Sequence, residues 1–391
     1  MRAASLSILI LTAVLMGLIL SVIFYRPRPV SIPHPSPPRT DDDPDAEKIL
    51  QENLALTERM IRLRWPYSTW LMSFSRLENC LLMHWQGLSK HAEEAILFYV
   101  STERTLQMIM EAVSRMNSDH DQPAYDFWIA VPVRYEDSYY TSAEVRRWFL
   151  DSGIKVRCVY CEGDGLENCF GRDADTAFTA FGTKAMAEFK IEGDEAHVHA
   201  CREAMTAMKP AADRFTPTSL AALNELKEYM PFRSRVYMAL PGAEEKKTAA
   251  AVLLFPFAKD WFNAEISFYE DTFILQAVSE DQKEEAIAAL QKTAEKYNVS
   301  LKLKAERNTS SAMAPDSPEY ASFCRLVKET TEADHVLPVL RNDIYTPHFR
   351  GLPAVFFSPM RSLSADSAEK AIRYYHAVLT ETGKKNPEAS I

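Results

Sequence analysis

The chain has 391 residues, a formal net charge of −10, 47% hydrophobic and 25% charged residues. These values are typical of a globular protein long enough for two domains, and the acidic balance argues against a nucleic-acid partner. Only 11 residues are glycine, whereas an average protein has about 7%. Loops that wrap metals or phosphates commonly need glycine, because the backbone must approach closely there, so few such loops are expected.

The N-terminal region predicts a membrane anchor. Ala3 to Tyr25 is a run of 23 residues without a charge, which is long enough to span a bilayer as one helix. The run has no small-residue cleavage site of the kind that ends a signal peptide, so an uncleaved transmembrane helix (residues 1–25) is favoured. We expect a single-pass membrane protein whose body lies outside the cytoplasm. Residues 26–45 are proline-rich and predict a stiff, extended linker.

The first part of the body alternates helices and strands. Glu47 to Arg64 has the periodicity of an amphipathic helix, and Thr105 to Met116 predicts another. Ser75 to Trp85 and Ala95 to Val100 are apolar runs that predict strands. This alternation is typical of an α/β domain with a parallel or mixed sheet.

A βαβ unit follows at the centre of this domain. Tyr125 to Val133 and Ile154 to Tyr160 predict parallel strands, joined by a helix over Thr141 to Leu150. Acidic residues follow each strand: Glu136 and Asp137 after the first, Glu162 and Asp164 after the second. Ligands of open α/β sheets bind beyond the carboxyl ends of the strands. A ligand site is therefore expected beside both acidic turns, although Glu136-Asp137 also fits an ordinary solvated turn.

After residue 176 the pattern changes to that of an α+β domain. Its elements, in chain order, are a strand over Ala177 to Ile191, a helix over Ala196 to Met208, a strand over Arg233 to Leu240, paired strands within Ala264 to Val278, a helix over Asp281 to Tyr297 and an edge-like strand over Leu301 to Glu306. This is the ferredoxin-like order. The α/β pattern then returns with a helix over 317–331, strands over 335–340 and Ala354 to Phe357, and a helix over Asp366 to Thr382. We therefore predict an α/β domain (46–176 and 309–391) interrupted by an inserted domain (177–308).

The cysteines leave several alternatives open. Cys158 and Cys161 have the spacing of half a zinc site, but no second Cys or His pair at a suitable spacing accompanies them. For a body outside the cytoplasm, a disulfide among Cys158, Cys161 and Cys169 is favoured. Buried thiols fit the six cysteines equally well.

Two segments carry a resemblance to a known family. Ser75 to Gly87 (SRLENCLLMHWQG) is similar to the opening strand and turn of the M20 zinc peptidases and amidohydrolases, in their membrane-anchored carboxypeptidase and N-acyl-amino-acid hydrolase branch. Ala354 to Met360 (AVFFSPM) is similar to a strand near the family's C-terminus. The resemblance covers about residues 47–382. It implies a mixed-sheet, phosphorylase/hydrolase-like catalytic domain with an inserted ferredoxin-like lid that also dimerises.

The family holds two zinc ions, and this chain departs from its ligand pattern. The resemblance places the family's His-x-Asp on Ser101-Thr102-Glu103, its general base and an adjacent ligand on Glu136 and Asp137, and a later acid on Cys161 or Glu162. The C-terminal histidine segment is missing, because Met360 runs almost directly into the last helix. The remaining metal candidates are therefore Glu103, Asp137 and Glu162, with Glu136 as the remnant base. The resemblance places His197, Arg341 and Asp343 where the family contacts substrate. His197 also fits an ordinary exposed histidine at the start of a helix, and Asp343 also fits an ordinary helix cap.

Two hypotheses follow from this pattern. In the first, the chain is a degenerate M20 member without a cofactor, a pseudoenzyme that binds a peptide or an acyl-amino acid as a regulatory module. In the second, it is a hydrolase with an altered site, in which Glu103, Asp137 and Glu162 hold a single metal ion and Glu136 is the base. The resemblance implies zinc as that metal. Three oxygen ligands suit a harder cation better than zinc. In both, the lid permits a homodimer.

Overall fold

The computed structural model describes residues 46–87, 94–123, 125–133, 138–163, 165–167, 175–208, 232–239, 264–269, 272–308, 317–341, 351–360 and 365–381, with a few isolated positions between these ranges. No helix within these ranges is long and apolar enough to cross a bilayer. The predicted anchor over Ala3 to Tyr25 and the predicted linker over 26–45 lie outside them.

The described helices and strands are numbered here in chain order. The helices are α1 (Ala46–Arg64), α2 (Pro66–Thr69), α3 (Glu103–Ser118), α4 (Ser138–Asp151), α5 (Glu195–Ala207), α6 (Phe232–Ala239), α7 (Glu280–Lys296), α8 (Pro318–Thr331) and α9 (Ala365–Glu381). The strands are β1 (Ser73–Arg76), β2 (Cys80–Trp85), β3 (Glu94–Tyr99), β4 (Asp126–Pro132), β5 (Lys155–Cys161), β6 (Leu166–Glu167), β7 (Thr176–Thr183), β8 (Ala185–Glu192), β9 (Glu265–Tyr269), β10 (Thr272–Ala277), β11 (Ser300–Arg307), β12 (Ser310–Ser311), β13 (His335–Arg341) and β14 (Ala354–Phe356).

Within the described residues, the larger sheet is mixed and has ten strands. Its main order is β1-β2-β4-β3-β5-β14-β7-β12, and β13 and β6 also pair with β7. Strand β3 pairs in parallel with both β4 and β5. The two strands of the predicted βαβ unit are therefore parallel, as expected, with β3 between them. The mixed α/β fold class predicted from the sequence is confirmed.

Strand β3 shows why this sheet is buried on both faces. Its sequence EAILFY is almost continuously apolar, as expected of a strand covered on two sides. Ile96 and Phe98 belong to one core cluster, shared with α1, α3, α8 and α9. Leu97 and Tyr99 belong to a second, shared with Val145 and Phe149 of α4. Side chains alternate along a strand, so the two clusters lie on opposite faces of the sheet.

The smaller sheet has four antiparallel strands in the order β11-β8-β10-β9. Along the chain its elements run β8, α5, β9, β10, α7, β11, so the sheet order is four-one-three-two. This is the strand and helix succession expected of a ferredoxin-like unit. The sheet has a core of its own, which includes Phe189, Phe273, Leu275 and Leu290. Strand β11 lies at one edge, where Leu301 to Glu306 was predicted to lie.

Several predicted elements need correction. Ser75 to Trp85 forms the antiparallel hairpin of β1 and β2 instead of one strand. Ala177 to Ile191 is also two strands: β7 belongs to the larger sheet and β8 to the smaller one. The passage between the sheets therefore falls at Lys184, not at residue 177. The predicted strand over Arg233 to Leu240 is wrong, because its described residues, 233–239, lie in helix α6. Its Arg, Met and Ala residues are good helix formers, and a short apolar alternation cannot distinguish a strand from a helix.

The junction between the two sheets is buried. Lys184 separates β7 from β8 and its residue is 1% exposed. Its backbone N–H donates to the carbonyl of Arg341 at the end of β13, at 2.8 Å. A single residue thus joins the strands of the two sheets and is pinned to a third strand. This connection brings the end of β13 close to the place where the chain leaves the larger sheet.

Candidate functional site

The order of the parallel strands defines a switch point in the larger sheet. From β3 the chain passes through α3 to β4 on one side, and then through α4 to β5 on the other side. The carboxyl ends of β3 and β5 therefore border the crevice in which open α/β sheets bind ligands. Val100 to Glu103 leave β3 at this point, and Glu162 and Gly163 leave β5. The predicted location of the site thus coincides with a switch point of the observed fold.

Glu162 and Thr102 join the two strand ends at this switch point. One carboxylate oxygen of Glu162 accepts hydrogen bonds from the backbone N–H of Thr102, at 3.0 Å, and from its hydroxyl, at 2.8 Å. The same hydroxyl accepts from the backbone N–H of Thr105, at 3.3 Å, and so caps α3. The Glu162 carboxylate therefore binds the N-terminus of a helix, where a negative charge is favoured.

The environment of Glu162 raises its pKa. Burial disfavours the charged form and is the largest effect. Hydrogen bonds from Thr105 and Thr102 and the positive charge of Arg341 lower the pKa, but they offset the burial only in part. The Arg341 guanidinium also donates to the backbone carbonyl of Glu162, at 3.2 Å. Glu162 and Arg341, two of the predicted site residues, are therefore brought together.

Strand β14 completes this side of the switch point. The backbone N–H of Gly163 donates to the hydroxyl of Ser358, at 3.3 Å, and Phe357 N–H donates to the carbonyl of Cys161, at 3.0 Å. A Cβ on Gly163 would lie 2.5 Å from the carbonyl carbon of Phe356, closer than real atoms pack. The segment Ala354 to Met360, which carried part of the family resemblance, is therefore packed directly against the turn that follows β5.

Glu103, the second candidate ligand, is engaged elsewhere. Its carboxylate forms an ion pair with the guanidinium of Arg64, from the last turn of α1. Arg64 also donates to the side-chain oxygen of Gln107, one turn further along α3, at 3.0 Å. These contacts fasten α1 to the first turns of α3. They leave Glu103 as part of a helix–helix contact.

Of the remaining predicted site residues, the structure describes only His197. Glu136, Asp137 and Asp343 lie outside the described residues. His197 is exposed in the first turn of α5, within the smaller sheet's helical layer. Its neighbour His199 lies 3.8 Å from Glu203 and lines an open depression of about 790 Å³ between α5 and β9. Neither histidine belongs to the hydrogen-bonded group around Glu162.

Among the described residues, the donor set does not fit the dinuclear zinc site that the family resemblance implies. Zinc in proteins is held by imidazole, thiolate and carboxylate groups, about four for each ion. Here one carboxylate is bound by Arg64 and the other by Thr102, and the strand end that should supply a histidine supplies Ser101. Within the described ranges there is no group of three or more His, Cys, Asp or Glu residues placed to hold a metal ion.

The cysteines of β5 correct one expectation. Cys158 and Cys161 are both free and buried, so the disulfide favoured among Cys158, Cys161 and Cys169 is not formed by either of them. Three residues apart on one strand, they point to opposite faces. Burial raises the pKa of the Cys158 thiol to about 12 and that of Cys161 well above its ordinary value. Both behave as small core residues; Cys169 lies outside the described residues.

Sequence reasoning missed Thr102 and Arg64. The helix was predicted to begin at Thr105 but begins at Glu103, directly after Thr102. A threonine before a helix is a recognised N-cap signal, and using it would have found Thr102. Arg64 lies 39 residues before Glu103 in the chain. No local pattern connects these two residues, so only the packing of α1 on α3 reveals the pair.

The fold was compared with known proteins. No family model matches the sequence, and curated proteins give no significant match. Human carnosine dipeptidase 1 superposes with a TM-score of 0.51 and 10% identity, over 85% of this chain and 92% of that one. The M20 family metallo-carboxypeptidase Sso-CP2 from Sulfolobus solfataricus superposes with a TM-score of 0.50 and 9% identity, over 84% and 93%. This chain therefore has the fold of the M20 peptidases and amidohydrolases, which confirms at the level of the fold the resemblance carried by its sequence.

Proposed function

We propose that the chain is a membrane-anchored, M20-like protein that has lost the dinuclear zinc site and serves as a binding or regulatory module. The observation that carries this proposal is the bond between Thr102 and Glu162. At the switch point, where the family fixes metal between strand ends, this chain joins the same strand ends with a carboxylate and a capped helix. The Glu103–Arg64 pair supports the same conclusion, because it occupies a second candidate ligand.

The ligand class proposed for the module is a peptide or an N-acyl-amino acid. Such ligands end in a carboxylate, and guanidinium groups bind carboxylates through two parallel hydrogen bonds. Arg341 stands at the switch point with one nitrogen on the Glu162 carbonyl. We propose that its guanidinium pairs with the ligand carboxylate, while the smaller sheet acts as the lid and offers a surface for a homodimer.

The anchor is part of the proposal. The uncharged run Ala3 to Tyr25 and the proline-rich residues 26–45 support a single-pass protein whose body is held near a membrane, outside the cytoplasm.

The first test is the metal content of the purified full chain. After equilibration with zinc, manganese or cobalt and removal of free metal, elemental analysis should find less than about 0.1 metal per chain. The same samples should not hydrolyse dipeptides or N-acetyl-amino acids. Glu162→Gln and Asp137→Asn should leave the metal content unchanged. A content near one or two per chain that falls in these variants would instead support the altered single-metal hydrolase.

The second test concerns the ligand. A dipeptide or N-acetyl-amino acid that binds the folded chain raises its melting temperature, because the ligand binds the native state alone. The panel should contain an amidated version of each compound, since the amide lacks the carboxylate that Arg341 would pair. Arg341→Gln should abolish the shift, whereas the exposed Arg325→Gln on α8 is the matched control and should retain it. Equal shifts with carboxylates and amides would contradict the assignment of Arg341.

A further inference from the structure

The first two helices and the turn after them carry an exposed apolar strip that neither core cluster explains. Its five members and their exposed fractions are Leu56 (41%), Leu63 (68%), Tyr67 (81%), Trp70 (86%) and Leu71 (41%). Single exposed apolar residues are ordinary on a protein surface, but a contiguous group that includes a tryptophan and a tyrosine marks an interaction surface.

The spacing of these residues makes them one strip. Leu56 and Leu63 are seven residues apart and share a face of α1. Tyr67 lies in the short helix α2, and Trp70 and Leu71 form the turn that follows it. The junction between the helices keeps hydrogen bonds from Trp65 N–H to the Ile61 carbonyl and from Thr69 N–H to the Trp65 carbonyl, both at 3.0 Å. The chain therefore keeps helical hydrogen bonds across the junction, and all five exposed residues lie within the continuous segment 56–71.

Helix α1 thus has two apolar faces, one buried and one exposed. Leu54 and Ile61 are 0% and 3% exposed and belong to the core beneath the larger sheet. Leu56 and Leu63 follow each of them by two residues and project away from that core, because two positions turn a helix by about 200°. A helix that needed only to pack on the sheet would carry polar residues at these places. The strip is therefore an addition to what folding requires.

We propose that this strip lies in the interfacial layer of a lipid bilayer and holds the body against the membrane. The inference rests on the anchoring proposed above. Twenty residues, 26–45, separate Tyr25, the last residue of the uncharged run, from the start of α1 at Ala46. An extended proline-rich segment advances about 3.1 Å per residue, so 20 residues reach at most about 60 Å, and the strip remains within reach of the surface.

The composition of the strip fits this occupant. Tryptophan and tyrosine concentrate at the membrane–water boundary, where an apolar ring and a polar N–H or O–H each find a suitable medium. Arg59 is exposed and lies three residues after Leu56 and four before Leu63, beside the strip on α1. Its aliphatic stem can lie along the apolar surface while its guanidinium meets lipid phosphates.

The experiment uses the full chain in phosphatidylcholine vesicles, with and without lipids brominated near the glycerol end of their chains. Bromine quenches tryptophan by contact. Because the chain has six tryptophans, subtracting the emission of Trp70→Phe isolates Trp70 from the other five. We expect the Trp70 emission to fall about twofold or more in brominated vesicles, as for a ring at the interface. The matched control is Trp148→Phe, since half-buried Trp148 packs on Trp128 with ring centroids 4.9 Å apart and should escape quenching.

Flotation of the same vesicles separates the two proposals. A chain that floats with quenched Trp70 supports docking. A chain that floats while Trp70 and Trp148 are quenched equally, or not at all, overturns docking and leaves the anchor standing; a blue-shifted but unquenched Trp70 would assign the strip to another protein surface. A chain that does not float refutes the anchor and the docking together. None of these outcomes bears on the metal content, which tests the switch point independently.

Discussion

The Glu162 side chain stabilises the fold as a hydrogen-bond acceptor and destabilises it as a buried charge, and two substitutions separate these effects. Glu162→Ala removes the acceptor for both the N–H and the hydroxyl of Thr102. Because Thr102 is exposed, water can take the place of the lost acceptor, and the cost is that of an ordinary hydrogen bond, about 0.5–1.5 kcal/mol. Glu162→Gln keeps an oxygen acceptor and removes a charge whose burial raises the pKa. We expect urea unfolding at pH 7 to show a clear loss of unfolding free energy for the alanine variant and no loss, or a gain, for the glutamine variant.

The pH dependence of Glu162 has a defined sign. A carboxyl group whose pKa is higher in the folded chain than in the unfolded chain binds more protons when folded, so its ionisation costs stability as pH rises between the two values. The glutamine variant should therefore gain on the wild type as pH rises through that range and differ little below it. A glutamine variant that loses as much stability as the alanine variant would mean that the charge itself is required.

Gly163 provides a second prediction at the residue scale. Its missing Cβ would meet the Phe356 backbone at 2.5 Å, and backbone cannot rotate away as a side-chain end can. Gly163→Ala should destabilise the chain by about 1–3 kcal/mol, as overpacking does in other cores. Gly153→Ala is a useful comparison, because nothing lies near that position and the cost comes only from its φ of +69°. Thermal melting of both variants would show whether the close approach of β14 limits this turn.

Between elements, an ion pair joins α3 to α9. Arg115 donates two hydrogen bonds to the Glu369 carboxylate, at 2.6 and 2.7 Å, and the bond from Arg115 lowers the Glu369 pKa. Because the group is half exposed, the pair is expected to contribute only a few tenths of a kcal/mol. A carboxyl group whose pKa is lowered by folding stabilises the folded chain at pH values above its unfolded-state pKa. This contribution is lost as the pH falls through the folded-state pKa.

Glu369→Gln tests this pair. The variant should be slightly less stable than the wild type at pH 7, and the difference should vanish in acid, where the wild-type carboxyl is also protonated. Glu381→Gln at the end of the same helix serves as the comparison, with the two variants measured by thermal melting at several pH values. A difference for Glu369→Gln that persists undiminished at low pH would show that the side chain acts through packing and not through its charge.

The same scale shows what sequence patterns could and could not predict. Strands β3, β4 and β5 and helices α3 and α4 were predicted because apolar period and helix length are local properties. The β1–β2 hairpin was missed because Leu77 to Asn79 contain neither glycine nor proline to mark a turn. The division of β7 from β8 was missed for a similar reason, since Lys184 alone separates them and the apolar run continues on both sides.

The candidate site, too, was only partly predictable from the sequence. Glu162 was placed at a strand end by local pattern and Arg341 at the site by the family resemblance, and the structure brings the two together. The Glu103–Arg64 pair depends on how α1 packs on α3, which the sequence pattern does not contain.

At the scale of the whole molecule, the separate core of the smaller sheet predicts a separate unit of unfolding. Phe273 is fully buried and packs against Phe189, with ring centroids 5.3 Å apart, in a cluster that shares no member with the other two. Replacing a buried phenylalanine by alanine costs about 3–5 kcal/mol. In Phe273→Ala this loss should be confined to β8, β9, β10, β11 and their two helices, because local opening follows contiguous packing units.

Hydrogen exchange measured by mass spectrometry would test this division. Amides of β8 and β10 should exchange faster in Phe273→Ala, while those of β3 and β5 should keep the wild-type rate. The matched variant is Phe98→Ala, which removes an equally buried ring from the larger sheet and should produce the reverse pattern. If either variant accelerated exchange in both sheets, the single buried residue between β7 and β8 would couple them into one cooperative unit. A lid that closes independently over the switch point would then be ruled out, because such a motion requires the smaller sheet to hold its fold while the junction at Lys184 moves.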